Sequence, residues 1–420
     1  MTSRCETSAP WIAVLAGVFA LSGLAQAQPR ALDPELAWAG DNRQRLDRLL
    51  LELGSTGDRF DPERPPVAVF DWDNTVIKND IGDGTLYWFL RNDLILQPPA
   101  GDWRTTSPFL TDAARAALDA ACGEHPPGTP LPTASDLDCA DEILSIYDDK
   151  RTAAGEAAWL DEGYDHRRIA PPYAWVAQLQ AGHTAARIRE AVGLAIDAYL
   201  AAPEGATIQV GTQTGLTGWI RIYAQIADLI GALQSHGFDV WVVSASPEPS
   251  VQAFADRVGV GHDRVIGIRA LTAADGTLTA DLAGCGPEAD GSNRIMTYKE
   301  GKRCFIARQI FGDRAAAAVD PPRDPASRPA LVAGDAQTDI SMLLDASVLR
   351  LVLDRQRDEV MCHALAGTGG EWLINPMFIG PMAARTEPYP CATTGCTDRS
   401  GAPAPCLDPS GQPISDQSPR

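Results

Sequence analysis

Basic residues are scarce in this sequence. The 420 residues include 35 Lys and Arg against 55 Asp and Glu, which gives a net charge of −20 and an isoelectric point near 4.6. Such a chain would repel nucleic acids and anionic membranes, so we expect neither as a partner. The acidity suits a metal or a cationic ligand, although solubility alone explains an acidic surface at least as well.

Long apolar runs are absent beyond the N-terminus. Residues 11–21 form an apolar run that follows Arg4 and precedes the small-residue sequence at 25–27, which is the layout of a cleavable signal peptide. This run is too short to cross a bilayer. We therefore expect residues 1–27 to be a signal peptide, the mature protein to be periplasmic or secreted, and no stable association with a membrane.

Paired CxxC motifs are also missing, which argues against a zinc site. The sequence has nine cysteines, and an even set of eight remains once Cys5 leaves with the signal peptide. Disulfides in an oxidising compartment are the natural interpretation. Cys122 with Cys139 would close one loop. Cys285 with Cys304 would close another. Spacing leaves the pairing of the last four open: Cys362, Cys391, Cys396 and Cys406.

Short apolar segments alternate with helical patterns along much of the chain. Strands are predicted at 66–70, 240–243, 265–268 and 330–333, and a hairpin turn at Asp275-Gly276. Helices are predicted from leucines 46, 49, 50 and 53, from the apolar stripe between Ile222 and Leu233, and at 304–311. This alternation predicts an α/β fold, a Rossmann-like parallel sheet with helices on both faces.

The predicted elements divide the chain into a core, an insertion and a tail. Helices separated by loops rich in proline and glycine are predicted at 81–218, which we expect to form a large, mainly helical cap. The catalytic core would then consist of residues 28–80 and 219–382. Residues 383–420 are rich in Pro, Gly, Ser and Cys, and without disulfides we expect them to be disordered.

Polar residues follow three of the predicted strands. These are residues 71–75 (DWDNT) after the first strand, 244–246 (SAS) after the second, and Gly334-Asp335 with Asp339 after the last. Because ligands bind at the carboxyl ends of strands in open parallel sheets, we expect these groups to converge. Converging carboxylates need a cation between them, and an all-oxygen set that leaves room for water favours Mg²⁺.

The same residues suit phosphoryl transfer, which needs a nucleophile, a proton shuttle and positive charge on the phosphate. Asp71 and Asp73 lie two positions apart, so in an extended segment both side chains could face one substrate. One can attack phosphorus while the other protonates the leaving oxygen and then activates water. Ser244 can hydrogen-bond a phosphate oxygen, and Lys302 can neutralise the phosphate and the two acids.

Each of these elements has a simpler explanation when it is taken alone. A DxDxT sequence could be a calcium loop or a helix cap, a serine after a strand is often a turn former, and Lys302 could be a solvated surface residue. What favours the catalytic interpretation is that all of them occur in one chain order, with an apolar run before each strand-end aspartate motif.

In these stretches the sequence resembles the phosphatases of the haloacid dehalogenase (HAD) superfamily. The matching segments are 67–80 (VAVFDWDNTVIKND), 240–247 (VWVVSASP), the lysine of 300–302 (EGK) and 331–343 (LVAGDAQTDISML). Within the superfamily the sequence is most similar to the phosphoserine phosphatase branch, and to exported phosphorylcholine phosphatases in particular. The resemblance covers the core and not the insertion, which lies where this superfamily places its C1 cap.

The resemblance implies a role for each matching residue. Asp71 would be the nucleophile and a Mg²⁺ ligand. Asp73 would be the general acid and base, and it would also bind Mg²⁺ through its backbone carbonyl. Lys302 would be the motif lysine, with Lys299 as the alternative. Thr75, Ser244 and Ala245 would bind phosphate or order the loop. Asp335 would be a Mg²⁺ ligand. Asp339 would bind the ion through water or pair with Lys302.

Asp80 occupies the position where phosphoserine phosphatases carry an acid that faces the substrate amine. An ammonium-bearing ester, phosphoserine or phosphocholine, is therefore a hypothesis for the substrate. The aromatic residues at 87–89 could add a cation-π wall, although the apolar face of a cap helix is the more frequent explanation of such a cluster. Trp72 could wall the pocket or pack beneath it.

Together these features predict a Mg²⁺-dependent phosphomonoester hydrolase that acts on a small phosphate ester through an aspartyl-phosphate. Two alternatives stay open. One is an exported acid phosphatase or phosphotransferase of broad specificity, and the other is a non-catalytic, metal-stabilised binding protein that keeps the fold. The intact acids and lysine argue against the binding protein, because decay usually removes the nucleophile or its partner. The sequence leaves the oligomeric state open.

Overall fold

A computed structural model gives the structure of residues 1–2, 28–320 and 324–419. The predicted signal peptide falls on residues 3–27 and so lies outside the described residues. Within the described ranges, no helix has both the length and the apolar character needed to cross a membrane.

The α-helices of the described residues alternate with short strands. In chain order they are α1 (Asn42–Leu53), α2 (Ile81–Arg91), α3 (Asp112–Cys122), α4 (Leu137–Asp148), α5 (Pro171–Gln178), α6 (Ala185–Ala201), α7 (Ala224–Ser235), α8 (Glu248–Ala255), α9 (Glu300–Gln309), α10 (Ile340–Asp345) and α11 (Asp358–Ala366).

The strands of the described residues are mostly shorter than six residues. They are β1 (Val67–Phe70), β2 (Ile77–Lys78), β3 (Thr207–Val210), β4 (Gln213–Thr217), β5 (Arg221–Ile222), β6 (Asp239–Pro247), β7 (Val265–Ile268), β8 (Ala270–Thr272), β9 (Leu278–Leu282), β10 (Leu331–Gly334), β11 (Leu349–Asp354), β12 (Trp372–Pro376), β13 (Cys396–Thr397) and β14 (Pro403–Ala404).

A six-stranded parallel sheet forms the centre of the core, as predicted. Its spatial order is β12-β11-β10-β1-β6-β7, and every neighbouring pair is parallel. The four predicted strands correspond to β1, β6, β7 and β10. The motif strands β10, β1 and β6 are adjacent at the centre of the sheet, so their carboxyl ends open onto one place.

Helices cover both faces of this sheet, which explains why β1, β7 and β10 are buried along their whole length rather than alternating. All four residues of β1 are buried. Ala68 and Phe70 belong to the apolar core on one face, together with residues of α1, α7 and α8. Val67 and Val69 belong to the core on the other face, with residues of α9, α10 and α11.

The predicted packing helix α1 begins at Asn42 and ends before Gly54, and it buries Leu46, Leu49 and Leu50. The stripe predicted from Ile222 begins later than expected. Ile222 pairs with Ile77 in the antiparallel ribbon of β2 and β5, and α7 starts at Ala224. Pairing with a distant strand has overridden the local helical pattern there.

The chain leaves the core and returns to it through the β2–β5 ribbon. Between these strands lie α2 to α6, so the inserted region is mainly helical, and it also contains the antiparallel β3–β4 hairpin, which was not predicted. α2 begins at Ile81 and β4 ends at Thr217. The division of the chain at 81 and 218 stays a prediction. The hairpin predicted around Asp275-Gly276 is formed by β8 and β9.

The described residues form four disulfides, which include both predicted pairs, Cys122–Cys139 and Cys285–Cys304. The pairs that spacing left open are Cys362–Cys391 and Cys396–Cys406. The first of these ties the C-terminal segment to α11, and the second closes the loop that carries β13 and β14.

The C-terminal segment also contacts the insertion through Arg167. This side chain donates to the backbone oxygen of Thr397 at 2.7 Å, to Glu359 of α11 at 2.9 Å and to Glu300 of α9 at 2.5 Å. One guanidinium therefore joins the insertion, two core helices and the C-terminal segment.

Candidate active site

The loop after β1 turns back sharply and directs two acids toward the same edge of the sheet. The backbone N–H of Asp71 continues the sheet by donating to Ala333 at 2.9 Å. Asn74 has a φ of 60°, a left-handed conformation that asparagine tolerates better than most residues. Its side chain accepts the N–H of Asn79 at 3.2 Å, which closes the turn.

Lys302 holds the first acid of the loop. Its Nζ lies 2.6 Å from Asp71 Oδ1 and 2.6 Å from Asp339 Oδ1, and the side chain is completely buried. Lys302 lies in the first turn of α9, which begins at Glu300, whereas the helix predicted at 304–311 would have begun after it. Burial lowers the pKa of Lys302, but the two carboxylates more than offset this and raise it above its ordinary value. The ammonium therefore stays charged.

The alternative lysine lies elsewhere. Lys299 is also buried, but its Nζ donates to Thr397 Oγ1 at 2.6 Å and pairs with Glu359 at 3.2 Å. The structure thus places Lys302, and not Lys299, beside Asp71.

Three carboxylates converge where a metal was predicted. Asp71, Asp335 and Asp339 each offer an oxygen, and these oxygens lie within 4.8 Å of one another. Burial and the neighbouring Asp339 raise the pKa of Asp335 to about 6, and burial, with Asp339 second, raises the pKa of Asp71 well above its ordinary range. A divalent cation would relieve this crowding, and the all-oxygen set fits Mg²⁺.

Both carboxylate oxygens of Asp339 accept hydrogen bonds from the protein. Its Oδ2 accepts the N–H groups of Asp335 and Ala336, both at 3.0 Å, and its Oδ1 faces Lys302. A side chain at Gly334 would collide with Asp339, because a Cβ there would lie 2.7 Å from the Cβ of Asp339. Of its two predicted roles, the geometry favours pairing with Lys302.

Thr75 connects the two other acids of this group. Its Oγ1 lies 3.1 Å from Asp71 Oδ2 and 3.2 Å from Asp335 Oδ1, and the residue is completely buried. Of the two roles considered for Thr75, this position suits ordering of the loop.

Asp73 is held in a different environment from Asp71. Its Oδ1 accepts the N–H of Ile81 at 2.7 Å, and its Oδ2 accepts the hydroxyl of Ser246 at 2.6 Å. Burial, followed by the charge of Asp71, raises the pKa of Asp73 to about 7, while these two hydrogen bonds lower it. A carboxyl with this pKa can both give and take a proton near neutral pH.

Of the two roles expected for Ser244, phosphate contact and ordering of the loop, its position suits ordering of the loop. The residue is completely buried, its Oγ accepts the N–H of Ser246 at 3.1 Å, and it lies 3.5 Å from Asp73. Ala245 and Ser246 line the cavity instead. Ser246 is the last residue of the SAS motif, but it was not predicted to be a site residue.

Two adjoining cavities open at the carboxyl edge of the sheet. The first, of about 80 Å³, is lined from the core by Asp71, Asp73, Asp335 and Arg355, and from the inserted helices by Tyr147 and Tyr173. The second, of about 320 Å³, shares Asp80, Tyr173 and Arg355 with the first and adds Asp83, Tyr199 and Trp219. The smaller cavity has the reactive acids, and the larger one extends from it.

Asp80 lies at the junction of the two cavities. Its Oδ1 caps α2 by accepting the N–H groups of Gly82 at 2.7 Å and Asp83 at 3.1 Å. Burial, followed by the charges of Asp73 and Asp83, raises the pKa of Asp80 well above its ordinary range. The tyrosine of α4, Tyr147, donates to Asp83 Oδ1 at 2.6 Å, so a second acid stands beside Asp80.

The aromatic wall considered from the sequence does not form. Tyr87 and Phe89 are buried in the apolar core, Trp88 packs against that core, and none of the three lines either cavity. Trp72 is also completely buried and packs edge-on against Phe254, with ring centroids 5.4 Å apart. It therefore packs beneath the site, and Tyr147 and Tyr173, which the sequence did not indicate, provide the aromatic surface of the smaller cavity.

No protein-family model and no curated protein sequence matches the chain. Solved structures do match. They include a conserved functionally unknown protein from Anaerococcus prevotii DSM 20548, with 17% identity, a TM-score of 0.51, and coverage of 82% of this chain and 96% of that one. A protein of unknown function from Bordetella pertussis Tohama I matches with 13% identity, a TM-score of 0.42, and 74% and 98% coverage.

A substrate-bound phosphoserine phosphatase is also among the matches, with 13% identity, a TM-score of 0.29, and 69% and 85% coverage. At these identities the Anaerococcus protein shows a shared fold alone, and the other two matches carry no further weight. The predicted fold class is confirmed by the parallel sheet and its two helical layers.

Proposed function

We propose that this protein is a phosphomonoester hydrolase that forms a phospho-aspartate on Asp71. The observation that carries the proposal is the contrast between two acids that line one cavity. Asp71 is paired with the buried ammonium of Lys302 at 2.6 Å, whereas Asp73 is held by the hydroxyl of Ser246 and the N–H of Ile81 and has a pKa of about 7. A nucleophile must be ionised. Burial and Asp339 raise the pKa of Asp71, Lys302 lowers it, and a bound divalent cation would complete its ionisation, whereas the pKa of Asp73 suits a proton shuttle.

The reaction follows from these positions. A carboxylate oxygen of Asp71 attacks phosphorus, the bond from phosphorus to the ester oxygen breaks, and protonated Asp73 gives its proton to that leaving oxygen. Asp73, now ionised, takes a proton from water as the water oxygen attacks phosphorus. The bond between Asp71 and phosphorus then breaks, which releases inorganic phosphate and regenerates both acids.

Asp71 and Asp335 are the residues that would hold Mg²⁺, with the backbone carbonyl of Asp73 as the further expected ligand. When bound, the ion would neutralise charge on the phosphate oxygens. Lys302 would help to keep the Asp71 carboxylate ionised and oriented. The hydroxyl of Thr75 would hold the carboxylates of Asp71 and Asp335 beside each other.

For the substrate we propose a small ester with an ammonium-bearing leaving group, such as phosphoserine or phosphocholine. The larger cavity that adjoins the reactive acids is lined by Asp80 and Asp83, by the rings of Tyr173 and Trp219, and also by Arg355 and Arg357. Carboxylates and aromatic faces both attract cations. The volume of about 320 Å³ also supports the alternative of a phosphatase or phosphotransferase with broader specificity.

A phosphate-release assay on mature protein tests the reaction. p-Nitrophenyl phosphate, phosphoserine, phosphocholine and phosphoethanolamine would each be supplied with Mg²⁺ or with EDTA. We expect turnover only with Mg²⁺ and none above background in Asp71→Asn. Asp58→Asn, which makes the same change at an exposed acid remote from the cavities, serves as the matched control.

Acid quenching during turnover followed by mass spectrometry should find phosphate on the peptide that contains Asp71. If the folded, metal-bound protein releases no phosphate from any ester, the enzyme proposal is wrong and the binding-protein alternative gains support. Equal rates on all four esters would support broad specificity over an ammonium preference.

We also propose that the protein is exported. Four disulfides suit an oxidising compartment, which supports a periplasmic or secreted location. N-terminal sequencing of protein recovered from the periplasm or medium should find a mature chain that begins near Gln28, and an intact N-terminus in the cytoplasm would contradict export.

A further inference from the structure

Arg355 brings a guanidinium to the reactive cavity from a strand outside the three that carry the motifs. It follows β11 directly, and β11 pairs in parallel with β10, so its carboxyl end lies beside Asp335. The Nη1 atom of Arg355 donates to Asp335 Oδ2 at 2.6 Å. The side chain is 25% exposed and lines both cavities.

The side chains that line the smaller cavity carry more negative than positive charge. Four carboxylates line it, those of Asp71, Asp73, Asp80 and Asp335, and among its lining residues Arg355 supplies the cationic side chain. Lys302 lies behind the wall, completely buried between Asp71 and Asp339, and does not line the cavity. Without Arg355, the charged side chains that line this cavity would all be acids, and a phosphate dianion would depend on the metal alone for a positive charge facing it.

The Arg355 guanidinium has more N–H donors than its bond to Asp335 uses. Its N–H groups form a planar fork of five donors, which matches the oxygens of a phosphate group. Within the described part of the chain, the bond to Asp335 is the hydrogen bond found for this side chain. The remaining N–H groups are therefore free for a ligand in the cavity, while Nη1 keeps Asp335 in place.

We propose that Arg355 binds the phosphoryl group of the substrate directly, as a second cation that complements Lys302. This inference rests on the proposed function, and it adds a residue that neither the motifs nor their spacing indicate. One end of the guanidinium stays on Asp335, and the other contacts non-bridging phosphate oxygens. The arginine thereby links the acid proposed for the metal with the phosphate on which the metal would act.

Inorganic phosphate, the reaction product, is the probe. Its dissociation constant would be measured by calorimetry at saturating Mg²⁺ for the wild type and for Arg355→Met, Arg355→Lys and the exposed control Arg59→Met. We expect phosphate affinity to fall at least tenfold in Arg355→Met and several-fold in Arg355→Lys, which keeps the charge but loses the fork. Arg59→Met should bind phosphate as the wild type does.

A second titration separates ligand binding from a purely structural role. If Arg355 acts only by holding Asp335, its variants will lose Mg²⁺ affinity and yet bind phosphate normally once Mg²⁺ is saturating, and the inference is overturned. If Arg355→Met does not fold, Arg355→Lys decides, since it retains a cation beside Asp335. Unchanged phosphate affinity in that variant also overturns the inference.

The kinetic outcomes distinguish this inference from the proposed function. In a wild-type enzyme that hydrolyses esters, loss of Arg355 should raise KM and lower kcat/KM. Normal kinetic constants in the variants would refute the role of Arg355 and leave the hydrolase proposal intact. A wild type that neither hydrolyses esters nor binds phosphate would refute both.

Discussion

The hydroxyl of Ser246 donates to Asp73 Oδ2 at 2.6 Å. Because Ile81 N–H holds the other carboxylate oxygen at 2.7 Å, the proposed general acid and base is fixed at both oxygens. Both bonds stabilise the ionised carboxylate and lower its pKa, whereas burial and Asp71 raise it, with a result of about 7. Ser246 therefore lowers the proton affinity of Asp73, against the larger effect of burial.

Ser246→Ala should shift the pH dependence of turnover. Loss of the hydroxyl removes a bond to the ionised form, so the pKa of Asp73 rises and the limb of the pH–rate profile that it governs moves to higher pH. We expect kcat near neutral pH to fall by about tenfold, the size of a lost hydrogen bond to a charged group. Ser244→Ala, at 3.5 Å from Asp73, should have a smaller effect, and an unmoved profile in Ser246→Ala would refute the role of Ser246.

Two buried lysines three residues apart allow a matched comparison. Lys302→Met would leave Asp71 and Asp339 without their cation, and we expect it to abolish turnover and cost about 3–5 kcal/mol of stability. Lys299→Met removes a partner of Glu359 but leaves Arg167 on that acid, so turnover should largely remain. Phosphate release and urea unfolding would be measured for both. Inactivity of Lys299→Met with an active Lys302→Met would reverse the assignment.

The crowded acids predict how stability depends on pH and metal. The pKa values of Asp73 and Asp335 are raised in the folded protein, to about 7 and about 6, above the ordinary value of about 4. Their ionisation therefore opposes folding, and the stability lost through these groups grows as pH rises from about 4 to 7. Mg²⁺ should restore stability at the upper end of this range.

Thermal unfolding from pH 4.5 to 8, with EDTA or with Mg²⁺, checks this expectation. The comparison of wild type with Asp73→Asn isolates one group from the other acids of the chain. In EDTA, Asp73→Asn should gain melting temperature relative to the wild type as pH rises. A difference that is constant across the pH range would contradict the raised pKa of Asp73.

Arg167→Met should loosen the C-terminal segment. The change removes a guanidinium shared by Glu300, Glu359 and the backbone of Thr397, and it leaves the buried Glu359 and the partly buried Glu300 without this partner. We expect a loss of a few kcal/mol in the free energy of unfolding and faster proteolysis within residues 383–419. Limited proteolysis with mass spectrometry would locate the cuts.

The control for this prediction is Arg399→Met. Arg399 also joins the C-terminal segment to the insertion, through Asp165 at 2.5 Å, but its side chain is 57% exposed. An exposed ion pair of this kind contributes only about 0–1 kcal/mol. Equal sensitivity of the two variants to protease would show that burial of Arg167 is not what secures the segment.

The reactive acids were predictable because their signal is local. A short apolar run ending in an aspartate marks a buried strand and its carboxyl end, and the geometry of parallel sheets brings such ends together. Asp71, Asp73 and Asp335 were found in this way. Arg355 was missed because it follows β11, a strand outside the four that were predicted. Ser246 was missed because which serine of the motif faces Asp73 depends on how β6 ends.

The contribution of the inserted helices could not be predicted from local patterns. Tyr147 and Tyr173 reach the cavity from α4 and α5, far along the chain from the acids, and only the packing of the insertion brings them there. Tyr87 lies closer in sequence to Asp80, yet it faces the apolar core because the same helix must bury its apolar side. Nearness in sequence was therefore a poor guide to the walls of the cavity.

Each disulfide of the described chain joins one cysteine to the next cysteine along the sequence, with separations of 17, 19, 29 and 10 residues. Eight cysteines allow roughly a hundred complete pairings, most of which interlock or enclose one another. The native set is the one obtained when a chain enters an oxidising compartment N-terminus first and each new thiol is coupled to the unpaired thiol just before it. If the chain is exported as we propose, oxidation in order of arrival would form the native bonds directly, and we expect folding without reshuffling by a disulfide isomerase.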